Sequence, residues 1–514
     1  MRQRVVIVDF GSQYTHLIAR RIRELNVYSE IVPFWDAHKI GDAQAIILSG
    51  GPMSVYDDKA PKIPKSVLEG WIGRRIPILG ICYGHQLVAH MMGGYVEKGV
   101  QGEYGATTIR IVENNILFDG LPKKFKVWMN HRDVVIEPPR GFRTVARTEG
   151  APVAAYENPE ALIFGVQFHP EVEHTEFGVK ILDNFLRFCG CERTWRMKEI
   201  ARRKIEELKR EVGDAKVLVA VSGGVDSTTL AYLLKKAIGD RVYVVFMNTG
   251  FLRDGEPERV RELLRELGFE NIVYVDASKR FLECLVGISN PEEKRRVFAE
   301  IYASILEEVA KNLKQKDPDL LFLAQGTIYP DRIESGAVGA KPSKIKSHHN
   351  VVMPTLRTLK KLEPLADLYK DEVRKLAKEL GLPRDVYMRQ PFPGPGLLVR
   401  IVGEVTLEKL EICRKAHKIV EEEAKKYGLA ESLWQIFPVV LDVKSTGIKG
   451  DERAYGYIVA IRAVMSSDGM TADFARLPWD FLETIARRIT GEIENVCRVL
   501  YDITSKPPAT IEFE

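Results

Sequence analysis

Residues 217–230 read Val217-Leu218-Val219-Ala220-Val221-Ser222-Gly223-Gly224-Val225-Asp226-Ser227-Thr228-Thr229-Leu230. An apolar, β-branched run that meets Ser-Gly-Gly without a break predicts a buried strand opening into a tight turn, where glycine admits close backbone approach. Asp226 and Ser227 suit the first turn of a following helix. Successive free N–H groups at such a turn, with the positive end of the helix dipole, make a concave seat for phosphate. No lysine lies within 222–228, so the loop lacks the Lys-Ser/Thr pair that closes a Walker loop, and γ-phosphate transfer is disfavoured. The competing reading is a glycine-rich turn with no ligand.

Outward from this loop the pattern alternates. A helix is expected to about Ile238, a strand over 241–247, a helix through Leu267 stopped by Gly268, and a strand over 272–276. That order describes a doubly wound parallel sheet, whose ligands gather at the strand C-terminal ends. Asn248-Thr249-Gly250 and Asp276-Ala277-Ser278 are therefore either adenosine contacts or ordinary caps. The spacing Ser222, Gly223, Gly224, Val225, Asp226, Ser227, Thr228 resembles the pyrophosphate loop of the N-type ATP pyrophosphatases. The resemblance implies that these seven residues bind ATP, that ATP is cleaved between its α and β phosphates, and that an oxygen of the substrate is adenylated. Asp226 is then a candidate ligand for Mg²⁺ on the leaving pyrophosphate.

The first third holds a second set of short apolar runs ending in glycine turns, 5–12 and 45–52, with a helix expected over 14–25. A third run, 76–81, leads into Cys82-Tyr83-Gly84-His85-Gln86 and a helix expected over 87–92. Cys82 thus sits on a strand-to-helix turn, against helix N–H dipoles that favour a nucleophilic thiolate. Such a nucleophile needs a base and a group to orient it, and Phe168-His169-Pro170-Glu171 lies downstream. On a strand edge, His169 and Glu171 would point the same way, so Glu171 would hold the imidazole in the required tautomer.

Gly80-Ile81-Cys82-Tyr83-Gly84-His85-Gln86, Gly50-Gly51-Pro52 and Phe168–Glu171 together resemble the class I glutamine amidotransferase domain over roughly residues 4–190. The resemblance implies a triad of Cys82, His169 and Glu171 that hydrolyses glutamine, with backbone N–H groups near Gly51 and Tyr83 forming the oxyanion hole. Gln86 is left open between substrate contact and structure, and His85 reads as structural. His131 is ambiguous, because Asn130 and Arg132 replace residues usual in that loop of the family.

With 514 residues the chain has room for about three domains. Its 45% hydrophobic and 28% charged residues describe a globular protein, and a net charge of +4 with interleaved signs gives little support to nucleic-acid binding. Six scattered cysteines without a Cys-x-x-Cys pair point to a reducing cytoplasm; Cys189-Gly190-Cys191 reads as buried thiols rather than a metal site. Neither a signal peptide nor a membrane span is expected.

Three further stretches narrow the match. Gly326-Thr327-Ile328-Tyr329-Pro330-Asp331, Ile345-Lys346-Ser347-His348-His349-Asn350 and Arg389-Gln390-Pro391-Phe392-Pro393-Gly394-Pro395-Gly396-Leu397 together resemble the glutamine-hydrolysing GMP synthetase family, over essentially the whole chain. From the residues alone, 324–350 reads as a long basic loop. The family resemblance implies ATP, XMP and L-glutamine as substrates, Mg²⁺ with ATP, and XMP contacts at Asp331, Lys506 and Glu512. It also implies a homodimer formed through the C-terminal domain, whose markers are 450–453, 468–478 and 506–514. Phe513 and Lys444 depart from the usual residues there. The expected fold is α/β: two doubly wound parallel-sheet domains (1–191 and 195–390) plus a smaller α+β domain (391–514). Free ammonia is largely protonated at neutral pH, so a protected path between the first two is expected.

Rival readings are an NAD or asparagine synthetase type, a tRNA-thiolating enzyme, or a degenerate regulatory protein that binds nucleotide without turnover. The first two usually carry a different glutaminase, and the third wants a basic RNA-binding patch or a reactive thiol at the loop. Intact Cys82, His169 and Glu171 argue against the last.

Overall fold

Buried β-branched runs build the centre of the first unit, residues 1–199. Ser29–Pro33, Val5–Asp9, Ala45–Leu48, Ile78–Ile81 and Ile163–Val166 lie side by side in that order, all parallel. Their apolar side chains are almost wholly buried, as strands covered on both faces require. The same sheet continues antiparallel through Ala155–Asn158, Arg143–Arg147, Glu103–Ile111 and Lys124–His131. A reading based on continuous apolar runs passes over this half: Lys124–His131 largely alternates exposed and buried positions, as a strand with one solvated face does. The computed structural model describes residues 4–99, 102–336, 358–466 and 472–514.

The helix after Ile78–Ile81 is Tyr83–Met91 and starts four residues earlier than the sequence suggests. Gly84 reads as a turn residue, yet it lies in the helix because the helix touches the sheet backbone there. A Cβ on Gly84 would stand 2.4 Å from the Leu48 carbonyl oxygen, and one on Gly80 would stand 2.7 Å from the Gly84 carbonyl carbon. Glycine here permits contact between backbones.

The second unit, residues 200–514, carries the expected doubly wound sheet. Asn271–Asp276, Val242–Asn248, Lys216–Ala220, Leu320–Ala324 and Lys360–Leu362 are adjacent in that order and all parallel. Val225–Ile238 follows the Ser-Gly-Gly turn directly, and Glu256–Glu266 ends just before Gly268 at φ +73°. Tyr329–Gly336 is a helix, not part of a long loop. Pro330 sits in its first turn, where a missing N–H costs no hydrogen bond. The basic stretch 341–350 and the marker residues 468–471 lie outside the described residues.

Farther on, Gln435–Lys449 and Glu452–Met465 form a long antiparallel hairpin. Gly450 and Asp451 both have positive φ, +57° and +64°, which suits a two-residue turn between twisted strands. Val496–Asp502 pairs parallel to Glu452–Met465, and Trp479–Glu492 packs beside this sheet. One apolar cluster runs from Phe251, Phe281 and Phe298 through Leu397 and Val440 to Ile461 and Phe481, so the strands of the hairpin and the helices after the nucleotide loop share a core. Among the described residues no helix is long and apolar enough to cross a membrane.

Candidate active sites

Cys82 has φ +51° and ψ −105°, a conformation that only a tightly determined turn imposes on a residue with a side chain. Its N–H donates to the Val166 carbonyl at 2.8 Å, and the Gly84 N–H donates to the Ser49 carbonyl at 3.0 Å. These bonds fix the turn between neighbouring strand ends and present the sulfur, which donates to the Asn130 carbonyl at 3.6 Å. Asn130 therefore enters the site through its backbone, while its side chain is exposed.

His169 and Glu171 lie in the loop beyond Ile163–Val166 rather than on a strand edge as expected. The loop nonetheless brings them together: His169 Nδ1 is 2.6 Å from Glu171 Oε1, and both side chains are buried. The imidazole also hydrogen-bonds Cys82. Burial opposes charge on the ring, but the Glu171 carboxylate and the Cys82 sulfur outweigh it and hold its pKa well above the ordinary value. Three neighbours escaped the sequence reading, since nothing in the order of residues points to them. Thr175 Oγ1 donates to the His169 carbonyl at 2.6 Å, the His169 N–H donates to the Trp128 carbonyl at 3.0 Å, and the Tyr14 ring meets the imidazole edge-on at 4.9 Å.

Gly50 and Gly51 close the other side. A Cβ on Gly50 would lie 3.2 Å from His169 Cε1, and one on Gly51 would lie 3.1 Å from the Tyr83 ring. Tyr83 is the first residue of its helix, so its N–H has no partner within the helix. Gln86 is committed to structure, donating to the Asp133 carbonyl at 2.6 Å and to Gln167 Oε1 at 3.1 Å. His85 stacks on Tyr156 in full burial, which pushes its pKa down to about 3. His131 bonds Glu103 Oε2 at 3.3 Å and the Asp133 carbonyl at 3.0 Å.

In the second unit, the turn after Lys216–Ala220 is closed by Ser227, whose Oγ accepts from the Ser222 N–H at 3.1 Å. Gly223 has φ +77°. Asp226 lies in the first turn of Val225–Ile238; its Oδ2 accepts from Lys370 Nζ at 3.2 Å, while its buried Oδ1 has no hydrogen-bond partner among the described residues. Gly326, at the end of the neighbouring strand, passes beside Asp226 and Ser227. Asn248 and Asp276 act as local caps: Asn248 Oδ1 accepts from the Gly250 N–H and Asp276 Oδ1 from the Ser278 N–H. Among the described residues no cluster of three or more His, Cys, Asp or Glu side chains is arranged to hold a metal ion by itself.

The residues implied for XMP occupy defined positions. Asp331 Oδ2 accepts from the Ile328 N–H at 3.1 Å at the start of its helix. Lys506 exchanges two backbone hydrogen bonds with Ala472, and Glu512 forms a two-pronged pair with Arg400 at 2.9 and 3.1 Å. The C-terminal segment is ordered by buried cations: Arg462 donates to the Thr510 carbonyl, and Lys294 pairs with Glu514. Lys444 Nζ lies 4.5 Å from the centre of the Tyr457 ring, and Phe513 is partly exposed.

Residues 6–188 match the class-I glutamine amidotransferase family, 197–279 the PP-loop domain and 422–513 the GMP synthase C-terminal domain. A glutamine-hydrolysing GMP synthase from Aeropyrum pernix is 52% identical over 515 residues, covering 99% of this chain and 98% of its own. The chain belongs to the glutamine-hydrolysing GMP synthase family. Members from Aquifex aeolicus, 50% identical with both chains fully covered, and from Pyrobaculum aerophilum, 50% identical with 99% of each covered, show that the match is not confined to one domain.

The His169 pKa gives a signed prediction. Because it is raised, the imidazolium's contribution to stability is fully present below 6.5 and is lost as pH rises through the higher folded-state value. Glu171→Gln removes the larger of the two raising partners while His169 stays buried, so the His169 Cε1 proton resonance titrates at lower pH and glutamine hydrolysis falls about 10²–10⁴-fold. An unmoved titration midpoint contradicts this account of the pair.

Proposed function

We propose that the chain makes GMP from XMP, using ammonia released from glutamine and the cleavage of ATP to AMP and pyrophosphate. The observation that carries the reading is the pairing of two reactive turns in one chain. Cys82 sits in hydrogen-bonding reach of a His169–Glu171 pair, and an independent sheet carries the 222–228 loop with no Walker lysine. Near-full-length relatives at about half identity, named for this activity, support it.

At the first site the Cys82 sulfur attacks the side-chain carbonyl carbon of glutamine. The oxyanion that forms is stabilised by the N–H groups of Tyr83 and Gly51, and His169 gives its proton to the departing ammonia. Water then cleaves the glutamyl thioester, returning a proton to His169 and releasing glutamate. Glu171 keeps Nδ1–H engaged throughout, so the other ring nitrogen faces sulfur and substrate.

At the second site the C2 oxygen of XMP attacks the α-phosphorus of ATP and pyrophosphate leaves toward the 222–228 loop, where the N–H groups of Val225, Asp226 and Ser227 stand in the first helical turn. Ammonia adds at C2, AMP departs with the oxygen, and a proton is lost to give GMP. Adenylation is needed because an amide-like oxygen leaves poorly and AMP leaves well. Asp226 fits a cation shared with substrate phosphates, since its buried Oδ1 lacks a partner among the described residues. Mg²⁺ held there would neutralise charge on the pyrophosphate. We assign the glutaminase to residues 1–191, the synthetase to 195–390, and dimerisation with part of the XMP site to 391–514, where Lys506 and Glu512 join Asp331. The dimer reading draws on large apolar side chains exposed on the long hairpin and its sheet, Val443, Ile448 and Tyr455, at 56, 76 and 70%.

Nucleotide product analysis with XMP, ATP and Mg²⁺ tests the scheme. Cys82→Ala is expected to form GMP and AMP from ammonium but not from glutamine, and Asp226→Ala to lose synthesis with both. Absence of GMP from the unmutated chain with either nitrogen source contradicts the XMP assignment. Retained ammonium-dependent activity removes Asp226 from its role. Sedimentation equilibrium is expected to give twice the chain mass, and a monomer mass refutes the dimer.

A further inference from the structure

The nucleotide loop is held from outside itself. Arg389 Nη1 donates to the Gly223 carbonyl at 2.8 Å, and its Nη2 pairs with Glu256. Both side chains are largely buried, at 11 and 5% exposure. Glu256 begins the helix Glu256–Glu266, where the dipole favours a carboxylate, and faces two more guanidinium groups, Arg253 at 3.4 Å and Arg259 at 3.6 Å. Gly223 is pressed onto the same helix: a Cβ there would lie 2.4 Å from Val260 Cγ2 and 3.2 Å from Glu256 Oε1.

The geometry has a specific consequence. The carbonyl of Gly223 and the N–H of Gly224 belong to one planar trans peptide and point in opposite directions. Whatever anchors the carbonyl aims the N–H. Among the described residues the Gly224 N–H has only a long contact with Ser222 Oγ, at 3.4 Å, and is thus weakly engaged. The network behind the loop is wider than this pair, since Arg253 and Arg259 also reach Glu421 and Asp385 at 3.8 and 3.4 Å.

We propose that Arg389 and Glu256 are positioning residues for ATP, whose buried ion pair holds the Gly223 carbonyl so that the loop N–H groups face the phosphates. Neither side chain touches the nucleotide. The inference rests on the reading of 222–228 as an ATP site, and it gives a role to the first residue of the segment 389–397. Three residues on, Phe392 lies between the guanidinium groups of Arg253 and Arg400, 4.4 and 5.1 Å from its ring centre, and Arg400 grips Glu512. The clamp is therefore the near end of a charged chain that reaches the C-terminal segment.

The test uses the full chain with ammonium as nitrogen source and the variants E256A, R389A, E256A/R389A and E256Q. E256Q keeps the volume and an acceptor but loses the charge, and carries the test if the alanine variants fail to fold. The KM for ATP is expected to rise about tenfold or more in each, as loss of a buried charge-assisted contact implies, with a smaller change in kcat at saturating ATP. The double variant is expected to be no worse than the poorer single, because the two side chains act as one unit. Amide hydrogen exchange at 223–227 is expected to accelerate in the nucleotide-free variants. Unchanged exchange, or an ATP KM within about twofold of the unmutated chain in a folded variant, overturns the proposal. If the unmutated chain releases no AMP and pyrophosphate, the ATP-site reading fails instead, and exchange at 223–227 still decides whether the clamp holds the loop.

Discussion

Left-handed backbone at the ends of parallel strands is the constraint on which both sites depend. Cys82 at φ +51° and Gly223 at φ +77° each turn the chain from a buried strand into a helix within a few residues. That turn exposes helix N–H groups beside the reactive position, which is the arrangement acyl and phosphoryl chemistry need. At Gly223 the absence of a side chain removes the strain. At Cys82 the side chain is the proposed nucleophile, and the strain is held by surrounding bonds: the Cys82 N–H to Val166, the Gly84 N–H to Ser49, and the close packing of Gly80, Gly84 and Leu48.

The two sites use burial in opposite ways. In the first unit a fully buried Glu171 raises the pKa of His169 against the cost of desolvation, which favours the protonated ring. In the second unit the buried Glu256 carboxylate is shared among Arg253, Arg259 and Arg389, and this ion-pair network braces the 222–228 loop from behind. Glu512 belongs to the same network through Arg400, which also donates to His417 Nε2 at 2.8 Å. The terminal residues are thus tied to the core by charge as well as by packing.

Much of this was legible from local chemistry. Strands that are buried on both faces announce themselves as continuous apolar runs, and the Ser-Gly-Gly loop and the Cys82 turn follow directly from two of them. The antiparallel half of the first sheet was not legible in that way, because a strand such as Lys124–His131 carries only alternating apolar residues. The start of Tyr83–Met91 was misplaced because Gly84 signals a turn by composition and a backbone contact by position. Pro330 misled similarly, since proline in a first helical turn looks like a loop residue. The two-residue spacing of His169 and Glu171 pairs them, but through a loop rather than a strand edge. Lys370, Thr175 and Glu256 acquire their contacts only when distant segments meet, and no local pattern marks them; Arg389 heads a recognisable stretch, but its contact with Gly223 is visible only in the fold.

The central claim is that ATP activates the C2 oxygen of XMP before nitrogen arrives. Isotope tracing tests it most directly: XMP labelled with ¹⁸O at C2 is converted with ATP and ammonium, and the products are analysed by mass spectrometry. The account predicts the label in the phosphate of AMP, one oxygen per GMP formed. Label in pyrophosphate, in inorganic phosphate or in water would contradict it.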